Sequence, residues 1–200
     1  GDEEVVSTGQ GRAYGFEVLA RDKDLKGFNI ILSYTYVRSE FKDVDGEYVA
    51  SAWDNRHLLN LTVSRSFKKN WDVGFKWRFV GGAPYTPYDE DFSMLTYVWD
   101  INRRGILDYD EYNTLRLSAF HQLDIRVDKS FYFDKWSLMF YLDIQNLYNF
   151  KGEQPDYLSV QRNENGNPKI NPNDPKRYLP RYISAESGTV LPTIGIMVEF

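Results

Sequence analysis

His121 is the residue best placed in the sequence for acid–base chemistry, because two carboxylates, Asp124 and Asp128, follow it closely. A serine hydrolase would also need a positioned nucleophile, and only nearness in the sequence nominates Ser118 or Ser130 for that role. The chain contains no cysteine, so a thiol nucleophile and a disulfide framework are both excluded. We therefore predict no catalytic residue and no enzymatic activity, and we expect His121 to face a lumen or an interface.

Asp54, Arg56 and His57 form a second charged group, directly before a segment that alternates like a strand. An arginine beside a carboxylate makes strong and oriented hydrogen bonds, so this group is suited to fixing the base of a loop. We predict an Arg–carboxylate contact at this loop base. The alternative is that the same residues touch a ligand.

Acidic residues at alternate positions in the segment 43–47 resemble the start of a calcium loop, because such carboxylates converge on one cation. The segment lacks the later bidentate glutamate, and its Asp–Gly pair is a common turn signal. The acidic run 89–91 is interpreted first as a solvated loop and second as a site for calcium or a cationic ligand. The sequence therefore predicts no metal site and no cofactor.

A group of aromatic residues lies in or beside the two earlier long loops of the chain. Sugar rings stack their C–H faces on aromatic side chains while neighbouring carboxylates accept hydrogen bonds from the hydroxyls, so these loops are candidates for glycan capture. The alternative is that the same residues form a membrane-interface girdle and pack the loops. Five of them are the predicted ligand contacts: Trp53, Tyr85, Tyr88, Tyr97 and Trp99.

The composition limits the classes of protein to which the chain can belong. Aromatic residues make up 16% of the 200 residues, with 15 Tyr, 13 Phe and 5 Trp, and such residues favour membrane interfaces. The formal charge of -5 argues against binding to nucleic acid. No window approaches the apolar length of a spanning helix. If the chain crosses a membrane, strands must cross it, and only a closed barrel satisfies their backbone in lipid.

Seven segments alternate apolar and polar residues with a period of two, which predicts strands with one apolar and one polar face. In the segment 71–80, for example, five apolar residues from Trp71 to Phe79 alternate with polar residues and glycine. No helical pattern or internal repeat of comparable strength appears. The predicted strands are 12–21, 28–41, 57–67, 71–80, 117–131, 136–148 and 191–200.

The connections between these strands are alternately short and long. A meander of this kind places all short turns at one end and all long loops at the other, as in outer-membrane barrels. The first and seventh strands then run in the same direction and cannot pair antiparallel to close a ring. Either the segment 1–10, with Val5 and Val6, contains one more strand, or the chain is the C-terminal slice of a larger barrel, which is the interpretation that we favour.

The last ten residues resemble the terminal strand of bacterial outer-membrane barrels, because an aromatic last residue follows an alternating apolar face. In those families the insertion machinery reads this strand, which then closes the barrel. The resemblance implies that Phe200 lies at the periplasmic rim and that the alternate apolar residues face lipid. The predicted assembly signal consists of Ile194, Ile196, Val198 and Phe200.

Nearly the whole chain resembles the C-terminal part of TonB-dependent outer-membrane transporters, particularly the Bacteroidetes type used for glycan and nutrient uptake. Each matching motif is short, and the resemblance depends on their order and spacing. The motifs are Gly11 to Gly15, Asp54 to His57, Gly81 to Pro87, Asn146 to Asn149, and the terminal Phe200.

The resemblance implies an all-β fold, in which residues 1–200 supply seven or eight strands of a 22-stranded antiparallel up-and-down transmembrane barrel. The intact protein would import a scarce nutrient, such as a glycan or a siderophore, across the bacterial outer membrane. Its partners would be outer-membrane lipids, a plug domain, TonB and a small-molecule or glycan ligand. The sequence leaves open whether a surface lipoprotein is a further partner. The alternatives are a self-contained eight-stranded outer-membrane barrel, porin-like or hydrolytic, and a soluble barrel of lipocalin type.

Overall fold

Alternating apolar and polar residues form long antiparallel strands in the computed structural model, which describes residues 9–200. Two short helices and several short strands lie in the connections between them. In chain order the elements are β1 (Gly11–Leu25), β2 (Phe28–Lys42), β3 (Tyr48–Ala50), β4 (Arg56–Phe67), β5 (Trp71–Val80), β6 (Pro84–Tyr85), α1 (Glu90–Ser93), α2 (Thr96–Asn102), β7 (Leu115–Arg116), β8 (Phe120–Tyr132), β9 (Ser137–Gln145), β10 (Gly152–Val160), β11 (Ile170–Asn171), β12 (Asp174–Tyr178), β13 (Pro180–Ser187) and β14 (Leu191–Glu199). The fold is all-β, as predicted.

The main sheet follows the order β1-β2-β4-β5-β8-β9-β14, with β3 paired to the end of β2 as an eighth strand. Every neighbouring pair is antiparallel. The turns after β1, β4 and β8 are short, and the connections after β2, β5 and β9 are long. The seven predicted strands and the alternation of connection lengths are therefore confirmed.

The strand ends differ from the predicted ends where local backbone geometry decides them. β1 continues to Leu25 through a register shift after Asp22, so the turn is reduced to Lys26 and Gly27. β9 stops at Gln145 because Asn146 has a φ of 54°, which is the left-handed region and cannot continue a strand.

The sheet is open, with β1 at one edge and β14 at the other. No pairing among residues 9–200 joins these two strands, so the described residues do not form the closed ring of the predicted barrel. Six antiparallel steps separate β1 from β14, and the two strands therefore run in the same direction. The strand considered around Val5 and Val6 lies outside the described residues.

The two faces of the sheet have opposite chemistry, and the strand register places like residues side by side. Neighbouring residues on one strand point to opposite faces, and the register aligns residues of the same face in rows that cross six strands. One row is entirely apolar: Ile30, Val63, Phe75, Ile125, Ile144 and Pro192. The adjacent row on the other face has no apolar side chain: Asn29, Ser64, Gly74, Arg126, Asp143 and Thr193.

The buried apolar side chains do not lie on the apolar face of the sheet. That face remains accessible, and Phe16 and Ile196 are 56% and 63% exposed. The apolar core of the described residues lies instead in the long connections after β5 and β9. Its buried side chains are Met94, Val98, Trp99, Leu158 and Val160.

The two long connections pack on each other and form a layer, which we call the loop layer, comprising residues 81–119 and 146–190. Backbone hydrogen bonds join its halves, including Tyr178 N–H to the Met94 carbonyl at 2.8 Å. α1 and α2 contain only four and seven residues, too few to produce a helical pattern in the sequence. No helix within residues 9–200 has the length and apolar character needed to span a membrane.

Candidate functional site

Asp54 is fully buried at the base of the loop layer and is surrounded by three arginines. Its carboxylate accepts a hydrogen bond from the Ser39 backbone N–H at 2.9 Å and contacts the Arg116 guanidinium. The Nε atoms of Arg38 and Arg56 lie 3.5 and 3.6 Å from its oxygens. A buried charge with several oriented partners is suited to holding chain segments together.

Arg116 of β7 connects Asp54 to both ends of the connection 81–119. One of its nitrogens donates to the Asp54 carbonyl at 2.6 Å and to the Gly82 carbonyl at 3.0 Å. Gly82 must remain a glycine, because a Cβ there would collide with the Leu117 carbonyl oxygen. Arg116 was not among the predicted site residues. No sequence signal identifies it, since it lies far along the chain from Asp54 in a two-residue strand.

His57 lies apart from the Asp54 contacts, on the apolar face of the sheet. Its Nδ1 is 2.8 Å from the Tyr34 hydroxyl, and its ring packs beside Tyr34 and Tyr36. His121 has an equivalent environment, since its Nδ1 is 2.7 Å from the Tyr148 hydroxyl and its ring contacts Phe150. Each histidine therefore belongs to an aromatic cluster near the loop end of its strand.

The structure does not bring a catalytic triad together around His121. Asp124 and Asp128 lie on the opposite face of β8, where they contact Arg78 and Arg126. Of the two serines considered as nucleophiles, Ser118 donates its backbone N–H to a glutamate and Ser130 is buried in β8.

The loop layer contains a cavity of about 680 Å³ between the connection 81–119 and the β10–β13 hairpin. Three prolines contribute to its wall, and their fixed φ angles make that wall rigid. Its aromatic residues are all tyrosines, six of the 15 in the chain: Tyr85, Tyr88, Tyr109, Tyr112, Tyr157 and Tyr182.

The predicted ligand contacts are distributed over several places in the structure. Tyr85 and Tyr88 line the cavity. Trp53 and Tyr97 are 78% and 62% exposed and are not among its lining residues. Trp99 is buried in the apolar core of the loop layer.

Four further tyrosines of the cavity were not among the predicted ligand contacts: Tyr109, Tyr112, Tyr157 and Tyr182. Two of them lie on β10 and β13, an antiparallel strand pair that the sequence did not predict. Pro155 and the register shift between Gln154 and Tyr157 interrupt the alternation that would have indicated β10.

The charged groups of the cavity are two carboxylates, Glu153 and Asp156, and its lining residues include no lysine, arginine or histidine. Ser118 donates its backbone N–H to Glu153 at 2.7 Å. Hydrogen bonds from the Ser118 side chain and backbone lower the pKa of Glu153, which therefore stays ionised at neutral pH. Partial desolvation, supported by the Glu90 carboxylate, raises the pKa of Tyr182 to about 12, so its hydroxyl stays neutral although the residue is 47% exposed. The cavity thus combines flat aromatic surfaces with negatively charged acceptors.

The polar face of the main sheet carries a second, smaller cavity of about 270 Å³. Lys76, Asp124, Arg126 and Asp143 contribute side chains of both signs to its wall. Asp124 and Arg126 already contact charged neighbours, Arg78 and Asp128, so their charges are largely neutralised.

The terminal strand places the predicted assembly residues at the β14 edge of the sheet. Ile194, Ile196 and Val198 pair with apolar residues of β9, from Leu142 to Leu138, on the apolar face. Phe200 follows the end of β14 and is 98% exposed.

The acidic segment 43–47 forms a turn. Asp43 accepts the Glu47 backbone N–H at 2.8 Å, and Gly46 has a φ of 83°. Within residues 9–200 no group of three or more histidine or carboxylate side chains is arranged to hold a metal ion.

Comparisons with known proteins do not identify a family for the chain. No protein-family model matches the sequence, and no curated protein matches it.

Proposed function

We propose that the chain is a barrel segment of a TonB-dependent outer-membrane importer and contributes extracellular ligand-binding loops and a barrel-closing strand. The observation that carries this proposal is the uncovered apolar face of the main sheet, which extends over seven long strands while the apolar core lies in the loop layer. A soluble sheet would cover such a face with a second layer of protein. In a barrel wall, lipid covers it, and the polar face meets water or a plug domain.

The position of the loop layer supports the same proposal. All three long connections leave the sheet at one end, and short turns occupy the other end. Outer-membrane barrels have this asymmetry, with their long loops outside the cell. The layer with the tyrosine-lined cavity is then the extracellular end, and Phe200 lies on the periplasmic side. Ligand capture belongs to the loop layer, and no catalysis is involved.

The open edges of the sheet indicate what the segment needs in order to function. In lipid, the unpaired backbone groups of β1 and β14 must pair with other strands. Because β1 and β14 run in the same direction, an odd number of further strands is needed to close the ring. We propose that other parts of the intact protein supply these strands, together with the plug domain that contacts TonB. A surface lipoprotein covering the loops would be compatible with this arrangement.

Spin labels on neighbouring residues of β4 test the orientation of the sheet. Val63 lies on the apolar face and Thr62 on the polar face, and the absence of cysteine from the chain simplifies labelling of Val63→Cys and Thr62→Cys. In reconstituted intact protein, we expect the label at 63 to be relaxed by oxygen, which concentrates in lipid. The label at 62 should be relaxed by a water-soluble nickel chelate instead. Equal access of the chelate to both positions would contradict the membrane location.

Comparison of spent growth media tests the import function without knowledge of the substrate. We expect a deletion strain to leave at least one solute of a complex medium unconsumed, and a strain lacking TonB function to leave the same solute. Complementation with the intact gene should restore its consumption. If the solute is consumed normally without TonB, the protein is a passive barrel of the porin type, and the importer proposal is wrong.

A further inference from the structure

We infer that the tyrosine-lined cavity of the loop layer binds a neutral oligosaccharide and rejects anionic ligands. This inference rests on the proposed function, because it names the substrate class that the importer captures at its extracellular end.

The aromatic surfaces of the cavity are open to a ligand. Tyr109, Tyr157 and Tyr182 are 68%, 59% and 47% exposed, although they line a concave site. Tyr109 also stacks on Tyr112, with ring centroids 6.3 Å apart and an interplanar angle of 17°, so the two rings hold each other in nearly parallel orientations. Flat and solvated aromatic faces suit ligands that carry apolar C–H faces and polar edges. Sugar rings have both features.

The size and rigidity of the cavity suit several linked sugar rings. Its volume of about 680 Å³ lies within the range of ~300–1,000 Å³ typical of organic ligand sites and far exceeds that of an ion site. Pro84, Pro87 and Pro155 restrict the backbone of its walls. A preformed wall lowers the entropic cost of binding a flexible chain of sugars.

The charge of the cavity determines whether it binds neutral or acidic oligosaccharides. Glu153 and Asp156 can accept hydrogen bonds from hydroxyl groups, and no basic residue of the cavity is present to neutralise an acidic sugar. The two halves of the loop layer together carry 12 acidic and nine basic residues, so the field around the site is negative. One of these basic residues, Arg116, is already bound to Asp54. Uronates, sulfated sugars and anionic metal chelates are therefore disfavoured.

Binding measurements on the intact protein in detergent test this inference. The probes are neutral hexasaccharides of glucose, mannose, galactose and xylose in both linkage configurations. Hexamers of mannuronate and galacturonate serve as acidic counterparts, and hexalysine serves as a cationic peptide. We expect at least one neutral hexamer to bind, its acidic counterpart to bind at least about tenfold more weakly, and hexalysine not to compete. Binding of no neutral hexamer, or preferred binding of a uronate or of hexalysine, would overturn the inference.

Variants locate the binding in the cavity. Tyr157→Ala and Tyr109→Ala are each expected to weaken binding of the neutral hexamer by about fivefold to tenfold, because each removes a stacking surface. Tyr97→Ala is the matched control, since Tyr97 is an exposed tyrosine of the same loop layer outside the cavity. Asp156→Lys should improve binding of the uronate hexamer relative to the neutral one. Equal effects of the Tyr97 and Tyr157 variants would place the sugar elsewhere.

The spin-label experiment on β4 distinguishes the two levels of the proposal. A lipid-facing label at position 63 combined with no binding of neutral hexamers would leave the barrel assignment standing and overturn only the substrate class. Water-exposed labels on both faces would overturn the proposed function itself.

Discussion

Leu32→Arg is expected to prevent assembly of the sheet in a membrane, whereas Ser33→Arg is expected to be tolerated. Leu32 lies on the apolar face between Ala20 of β1 and Leu61 of β4. In the proposed barrel, Leu32→Arg places a guanidinium near the middle of the lipid layer, at a cost of about 2–4 kcal/mol. We expect loss of the compact, heat-modifiable species on gel electrophoresis and a matching decrease in the free energy of unfolding in detergent.

Ser33→Arg is the matched control, because Ser33 is the next residue of the same strand and lies on the polar face opposite Asn60. Its new guanidinium can remain in water, and Glu17 lies diagonally opposite on β1 as the partner of Thr35. If both variants assemble equally well, the apolar face does not meet lipid. If both fail, arginine disturbs β2 on either face, and the comparison gives no support to a lipid-facing surface.

Asp54→Ala is expected to destabilise the contact between the loop layer and the sheet by about 1–3 kcal/mol, because it removes the buried carboxylate that three partly exposed guanidinium groups share. The affected arginines are Arg38, Arg56 and Arg116. The variant also removes the acceptor of the Ser39 backbone N–H. Denaturant unfolding of the intact protein in detergent measures the effect. The connection 81–119 should also become accessible to protease.

Asp45→Ala provides the control for this experiment. Asp45 lies in the same connection as Asp54, but its side chain is exposed at the tip of a turn. Its removal should change the free energy of unfolding by no more than about 0.5 kcal/mol. A similarly small effect of Asp54→Ala would show that the arginines are sufficiently solvated to do without their shared carboxylate.

The sheet could be predicted from the sequence because its signal is local. The face of each residue in a strand depends only on parity, so Val63 and Thr62 fall on opposite faces in any register. The connection lengths then determine the direction of every strand, including β14. Nothing in the sequence required residues 9–200 to form a closed ring, and the sheet is open.

The contacts of the loop layer were harder to predict because they depend on residues far apart in the chain. Asp54 and Arg56 were recognisable as a charged group, but Arg116 is brought to them only by the folded connection. Trp99 was an aromatic loop residue like Tyr85, yet it packs in the apolar core while Tyr85 lines the cavity. Composition alone could not separate these roles, since both depend on which surface of the loop meets β10 and β12.

The separate apolar core of the loop layer has a consequence for how such a protein can diverge. The apolar core of the loop layer makes its contacts within that layer, and its residues are Met94, Trp99, Leu158 and Val160. The apolar sheet residues around Ile125 need only an apolar partner on their outer side. In the proposed importer, selection for a different ligand could therefore alter the cavity without altering the sheet. We expect the sheet to accept exchanges that keep parity and apolar character, while Asp54 and Arg116 join the loop layer to the sheet.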